Sequence, residues 1–289
     1  VFGSNDQYLL LIKAEHDLEY FEQLYYLLSS FKYFLNQHLK LSSLNQNIYK
    51  ASEIQNTIIP EKTPDFSDFS ISATFIPAET VGGDVYDFIL LDNDLLGVTI
   101  ADASGHGLPA ALQARDVFVG LRMGIEKEHK IWAVINKLNK VIFETTISSR
   151  FVSLFYGEIE KDGLMTYVNA GHCNPIYIEK NKVKELDVGG MVLGWTDQIS
   201  YRRGYQYLAH DSLLILYTDG VTEARISEDE EYGTERLVEI AKKNFHLSSQ
   251  KIMEEIIKDV KSLNVQETWE DDVSLIVIKR NKKTGEHKK

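Results

Sequence analysis

The sequence predicts an α+β fold: an antiparallel β-sandwich flanked by pairs of helices and preceded by a long N-terminal helical segment. Three observations carry this reading. Between Tyr8 and Ile59 there is neither proline nor glycine, and apolar residues recur every three or four positions. After Pro60 and Pro64 the texture changes to short β-forming runs separated by turn residues. The helical stretches of this second part come in pairs, early and late, whereas a parallel sheet needs helices and strands in strict alternation.

The first element follows a seam of Ala14, Leu18, Phe21, Tyr25 and Leu28, then Leu35 and Leu39, then Leu41, Leu44, Ile48 and Ala51. The phase breaks between Leu39 and Leu41, and Lys32 occupies a seam position, so two helices or one stuttered helix is expected in place of a regular coiled coil. Such a seam suits an amphipathic helix packed on its own domain and equally a dimerising signalling helix. Pro60 and Pro64 end it, and "EKTPDFSD" is a linker.

Nine strands follow: "FSISATFIPA", "YDFILLD", "LLGVTIADA", "RFVSLFYGEIE", "LMTYVNAGH", "PIYIEK", "KVKELD", "SLLILYTDG" and "VSLIVIKR". Lys161-Asp162-Gly163 and Lys180-Asn181 read as hairpin turns. Helices are expected over about 108–125, 131–146, 235–243 and 248–263, the last opening on a Ser cap. The division is therefore a helical segment at 1–59, a sandwich domain at 60–280 and a polar tail, "NKKTGEHKK", at 281–289.

With 289 residues, 44% of them hydrophobic, the chain can bury a substantial core. A net charge of -12 argues against a nucleic-acid or anionic-membrane surface, since phosphate binding needs an excess of Lys and Arg. Cys173 is the only cysteine, which excludes an intramolecular disulfide and a cysteine zinc cluster and suits a cytoplasmic, reducing compartment. No run approaches the roughly 18 apolar residues of a membrane span, and the first residues lack the plan of a signal peptide. The opening "VFGSND" has no Met, so a preceding sensor domain or membrane anchor is expected, with this chain as the cytoplasmic part.

Carboxylates cluster at strand ends. Asp84 follows Gly82 and Gly83 and precedes a strand; Asp102 ends one and is followed by "SGHG". Asp219 ends "SLLILYTDG", and Asp271 and Asp272 immediately precede the last strand. Gathered at one rim, these oxygens would suit Mg²⁺ or Mn²⁺. Taken singly, Asp before Gly is an ordinary turn dipeptide. An acid ending a buried strand nevertheless needs a partner or a cation, and Arg115 and Arg225 are alternative counterions. His106, four residues after Asp102, reads either as a proton donor or as a loop histidine. His172 braces its loop. Cys173 lacks the phosphate cradle ending in Arg that a cysteine phosphatase needs, and Ser104 lacks a nucleophile elbow. "GGDVYDF" lacks the acidic residue that a cyclic-dinucleotide synthase would carry next.

The motifs "EIQNTIIP", "VGGDVYDF", "ADASGHGLPAAL", "RFVSLFYGEI", "YVNAGHCNP", "GGMVLG", "LYTDGVTEA" and "DDVSLIVI" stand in this order over about residues 53–278. In that order they resemble the PPM metal-dependent protein serine/threonine phosphatases, in their bacterial SpoIIE-like or RsbU-like branch. The resemblance implies two Mn²⁺ or Mg²⁺ ions, with Asp102 bridging them and the Ala103 carbonyl on the second. Asp84 would serve that second ion directly or through waters. Asp219 and Asp271 would hold the first, with Asp272 a neighbour in the ligand set. His106 matches, at a different spacing, a histidine that some relatives use as the acid for the leaving seryl oxygen.

The implied reaction is hydrolysis of phosphoserine or phosphothreonine by a water activated between the ions, without a phosphoenzyme. The implied substrate is a phosphorylated anti-sigma-factor antagonist of the STAS type, and the implied setting a bacterial regulator that dimerises through its N-terminal helix. In the family the helix entering the domain and the one after "GHG" act as a switch, which maps here onto the end of the N-terminal helix and residues 108–125. Two other readings stand beside it: a non-catalytic phosphoprotein-binding module of the same fold, and a small-molecule phosphohydrolase.

Overall fold

The computed structural model describes residues 2–4, 7–9, 21–125, 130–145, 151–266 and 268–282. The chain divides into two compact units, 1–47 and 48–289. In the first, β1 (Phe2–Ser4) and β2 (Gln7–Leu9) pair antiparallel, which corrects the helical expectation for those residues. Ala14 and Leu18 lie outside the described residues.

Helix α1 (Phe21–Asn56) begins in the first unit and is continuous for 36 residues. The phase break at Leu39 and Leu41 therefore does not divide it. A change of seam leaves the i to i+4 backbone bonds intact, and no glycine or proline interrupts them. Leu28, Leu35 and Leu39 are half-buried, while Tyr25, Tyr26, Tyr33, Phe34, Leu41 and Leu44 are exposed.

The second unit holds β3 (Phe69–Ile76), β4 (Asp84–Asp92), β5 (Leu95–Ala103), α2 (Leu108–Gly124), α3 (Ile131–Thr145), β6 (Val152–Glu160), β7 (Leu164–Ala170), β8 (Ile176–Glu179) and β9 (Lys182–Glu185). It continues with β10 (Gly189–Gly190), β11 (Gly204–Tyr207), β12 (Ser212–Tyr217), α4 (Asp219–Thr222), α5 (Gly233–Lys243), α6 (Ser249–Leu263) and β13 (Val273–Arg280). Short β10 and β11 and the single turn α4 carry too little periodicity to be seen in sequence. Thr146 and Arg150, expected at a helix end and a strand start, and residues 283–289 of the tail lie outside the described residues.

One sheet runs β10-β7-β6-β5-β4, with β11 also on β7; the other runs β3-β13-β12-β8-β9. All pairings are antiparallel except the two-residue β10–β7 contact. Strand alternation assigns each face its neighbour. Leu96, Val98 and Ile100 of β5 pack between the sheets with Leu214, Leu216, Ile276 and Ile278. Ala101 and Ala103 face the other way, under Ala110, Ala114, Val117 and Leu121 of α2. On the opposite side Leu213, Ile215, Leu275 and Val277 pack on Leu237, Ala241, Ile252 and Ile256 of α5 and α6. The result is a four-layer α-β-β-α sandwich.

Local signals match this arrangement. Gly163 adopts a positive φ of 101° in the β6–β7 turn. The Ser248 hydroxyl accepts from the Lys251 N–H to cap α6. Arg122 of α2 grips Asp87 of β4 through two bonds of 2.7 and 2.8 Å, tying the helix to the strand that begins at Asp84.

Candidate active site

The register brings the predicted acids together from both sheets. Asp84 opens β4 and Asp102 lies near the end of β5, directly opposite it in the ladder. From the second sheet, Asp219 follows the end of β12, and Asp271 and Asp272 precede β13, which pairs with β12. Burial is the first cause of strain on these groups. It raises the Asp84 carboxyl well above the ordinary range, helped by Asp102, and lifts Asp102 to about 7, helped by Asp219 and Asp271. Asp219, half-buried, is raised for the same first reason, and Asp271 is raised as well although it stands exposed at the rim.

Among the described residues, no Lys, Arg or His forms an ion pair with Asp84, Asp102, Asp219 or Asp271. The suggested counterions are thereby corrected: Arg225 pairs with Glu270 at 3.2 Å, and Arg115 is exposed on α2. The acids share one rim without closing on one point, since among the described residues no three His, Cys, Asp or Glu form a ready single-ion cluster. Like charges with nothing between them favour separation. An all-oxygen, cation-poor donor set fits Mg²⁺ or Mn²⁺, and does not fit zinc or copper, which favour imidazole and thiolate.

The backbone around the acids is held tightly. Asp272 accepts from the Ala78 N–H at 2.8 Å and from the Gly83 N–H at 2.5 Å, so both its oxygens brace the loop before Asp84. A Cβ at Gly82 would come within 2.3 Å of that carboxylate, which is why glycine stands there. Ala103, buried, donates its N–H to Gly83 O at 3.1 Å, and its carbonyl oxygen lies 2.8 Å from where a Gly83 Cβ would be. Gln55, near the end of α1, clamps Gly82 at both ends, donating to its carbonyl at 2.5 Å and accepting from its N–H at 3.0 Å.

His106 and Glu79 face each other across the mouth of a cleft of about 380 Å³ that Asp271 and Asp272 also line; their Nδ1–Oε1 distance is 2.9 Å. Both side chains are exposed, and His106 lowers the Asp271 carboxyl slightly against the larger effect of burial. His172 is buried, with its pKa lowered to about 4 by desolvation, and its Nδ1 lies 2.7 Å from Ser153 Oγ. Its backbone N–H and carbonyl bond the Asn169 side chain, and Ser153 stands beside Asp102 in the β5–β6 ladder, so His172 reaches from its loop to the neighbour of that acid. Cys173 is half-buried, and burial followed by Asp219 and Asp102 pushes its thiol up to about 12. A thiol so disfavoured as thiolate is no nucleophile.

Two contributors were not singled out in the sequence. Thr218 is visible there only as the residue before Asp219, and its hydroxyl donates to Asp84 Oδ2 at 2.7 Å. Gln55 lies 27 residues from its partner, on a helix whose seam gives no hint of it.

The family profile of Stage II sporulation protein E (SpoIIE) matches residues 92–281. The chain belongs to the SpoIIE family. It is a PPM-type phosphatase of the SpoIIE and RsbU kind. Phosphoserine phosphatase RsbU of Bacillus subtilis is 29% identical over 254 residues, 84% of this chain and 74% of that protein. The chain spans less than half of two longer relatives, 45% and 48% of their lengths. The SiaA-PP2C domain of Pseudomonas aeruginosa has the same fold as this SpoIIE-family chain, with a TM-score of 0.74 over 83% of this chain and 98% of that one, at 17% identity. RsbX in complex with magnesium superposes with a TM-score of 0.55 over 75% of this chain and 98% of its own, at 16% identity. The sandwich is thus the PP2C fold. Among the described residues, no helix is long and apolar enough to cross a membrane.

Proposed function

We propose that the chain hydrolyses phosphoserine or phosphothreonine on a regulatory protein, with the acidic rim holding two divalent cations, Mn²⁺ or Mg²⁺. The observation that carries this reading is the convergence of Asp84, Asp102, Asp219 and Asp271 from two sheets with no Lys, Arg or His among the described residues ion-paired to them. Raised, uncompensated carboxylates destabilise a fold, and hard cations offset that cost. Asp102 would bridge the ions and the Ala103 carbonyl would serve the second, with Asp84 acting on it directly or through water. Asp219 and Asp271 would hold the first. Asp272, with both oxygens bonded to backbone N–H groups, is assigned to the loop and not to the metals.

Bound cations supply charge neutralisation of the phosphoryl oxygens and a water acidic enough to attack phosphorus near neutral pH. The protein's part is to keep the ligands in place. Gln55 and Asp272 hold the Gly82–Gly83 turn that aims Asp84, and Ser153 and His172 back the strand carrying Asp102. His106, oriented by Glu79 at the cleft mouth, would hand a proton to the leaving seryl oxygen. Cys173 and Ser104 take no covalent role.

By likeness to RsbU the substrate would be a small phosphorylated antagonist of an anti-sigma factor, of the STAS type, acted on in the cytoplasm. The exposed aromatic and leucine side chains of α1 support a homodimer through that helix, downstream of a sensor. Phosphate release from a phosphoserine protein, assayed with Mn²⁺ and with excess chelator, tests the mechanism; full activity in chelator would sink it. The absence of a ready single-ion cluster among the described residues favours the second reading, a phosphoprotein-binding module without turnover. Binding without phosphate release at every Mn²⁺ concentration would establish that reading instead.

A further inference from the structure

Thr218 is fully buried between the end of β12 and Asp219. Its Oγ1 accepts from the Ser274 N–H at 2.9 Å and donates to Asp84 Oδ2 at 2.7 Å. Its own N–H donates to the Ser274 carbonyl at 3.1 Å. Thr218 and Ser274 belong to one sheet's end and Asp84 to the other's, so this hydroxyl joins the two halves of the rim.

The Asp84 carboxylate is the nearest acceptor for the Thr218 hydroxyl hydrogen, well ahead of the Asp272 and Ser274 carbonyl oxygens at 3.4 and 3.5 Å. A hydroxyl carries one donor, and because the Ser274 N–H already points at the oxygen, the proton is left for the carboxylate. Threonine's branched Cβ stiffens χ1, which fixes the oxygen in turn. Ser274 Oγ, buried beside the same carboxylate without a well-formed hydrogen bond, lowers its pKa less than Thr218 does, so Thr218 is the firmer grip of the two hydroxyls. Without that grip Asp84, buried opposite Asp102, has every electrostatic reason to rotate away.

We propose that Thr218 is a positioning residue which locks the Asp84 carboxylate in the orientation that serves the second divalent cation. The inference rests on the metal-dependent reading above. A partner in the outer shell of a metal site typically changes affinity by roughly 10- to 100-fold when removed, and Thr218 is expected to fall in that range.

The test is Mn²⁺ titration of the full chain by calorimetry, in the wild type, Thr218→Val, Thr218→Ser, Asp84→Asn and the Thr218→Val/Asp84→Asn double variant. Hydrolysis of p-nitrophenyl phosphate is followed over the same Mn²⁺ range. Thr218→Val should weaken the second Mn²⁺ site by roughly tenfold or more and raise the Mn²⁺ needed for half-maximal turnover by a similar factor. Thr218→Ser should stay close to wild type, and Thr218→Val should add nothing once Asp84 is Asn. Unchanged Mn²⁺ affinity in Thr218→Val, or effects that simply add in the double variant, would overturn the proposal. If the valine variant does not fold, Thr218→Cys keeps the volume with a weak donor, and wild-type affinity there overturns it equally. A wild-type chain that binds no Mn²⁺ and releases no phosphate defeats the functional reading itself; a competent wild type matched by Thr218→Val defeats only this inference.

Discussion

Asp84, buried, and Asp102, half-buried, stand directly opposite each other at the end of the β4–β5 ladder, and among the described residues no Lys, Arg or His is ion-paired to either. Asp102 is raised to about 7, so between its ordinary value near 4 and that pH the folded chain holds a proton that the unfolded chain has lost. Stability of the metal-free protein should therefore fall as pH rises through this window. Asp102→Asn should reduce that fall, with Asp84 and Glu158 keeping their share of it, melt higher than wild type in chelator at pH 8, and lower Mn²⁺-dependent turnover by several orders of magnitude. Melting curves at pH 5 and 8 with a phosphate-release assay check all three.

His172 makes the opposite contribution. Its folded pKa of about 4 lies below the unfolded value near 6.5, so the unfolded chain gains a proton first and stability is lost as pH falls through that interval. The slope is at most about 1.4 kcal/mol per pH unit. His172→Gln should flatten it. Because the raised carboxylates act the other way over the same range, the readout is the difference: urea unfolding at pH 7 and pH 5 in chelator should show the stability advantage of wild type over variant shrinking at pH 5, and an unchanged difference would remove the histidine from the account.

Gln55 fills both hydrogen-bonding positions of Gly82 from a buried site. Gln55→Leu leaves a buried N–H and a buried carbonyl without partners, at roughly 1–3 kcal/mol each. The expected outcome is a lower melting temperature and a higher Mn²⁺ requirement for turnover, both read directly in a metal titration. Normal values in both would mean that the clamp is dispensable.

At Gly220 a Cβ would sit 2.1 Å from the Asp272 backbone oxygen. That contact cannot be relieved by a side-chain rotation, so Gly220→Ala must shift α4 or the 271–272 segment. We expect a loss of roughly 1–3 kcal/mol, with a larger effect on turnover than on folding because Asp219 and Asp271 flank the clash. Comparing denaturant midpoints with specific activity separates the two effects.

Helix α1 leaves Tyr25, Tyr26, Tyr33, Phe34, Leu41 and Leu44 exposed. Apolar surface on this scale marks an interaction site. Light scattering should report a dimer for the full chain and a monomer after deletion of residues 1–47. A monomer in both cases would remove the dimer.

The acids were legible in the sequence because each stands at one end of a strand whose hydrophobic run marks that strand as buried, and because glycine before Asp84 and after Asp219 marks a tight turn. Strand alternation likewise determined which residues face the core, and the paired helices determined the layered architecture. The one-helix continuity of α1 was not determined, since a phase break in side chains leaves the backbone bonds unstated. Nor were the roles of Asp272, Thr218 and Gln55. Those depend on which donors lie within about 3 Å across sheets and loops, and composition and spacing carry no information about such distances. The sequence thus determined that carboxylates would stand at the ends of buried strands; only the tertiary structure decided which would be buried and which would be tied to the backbone, because that choice is made by contacts between residues as far apart as Gly83 and Asp272.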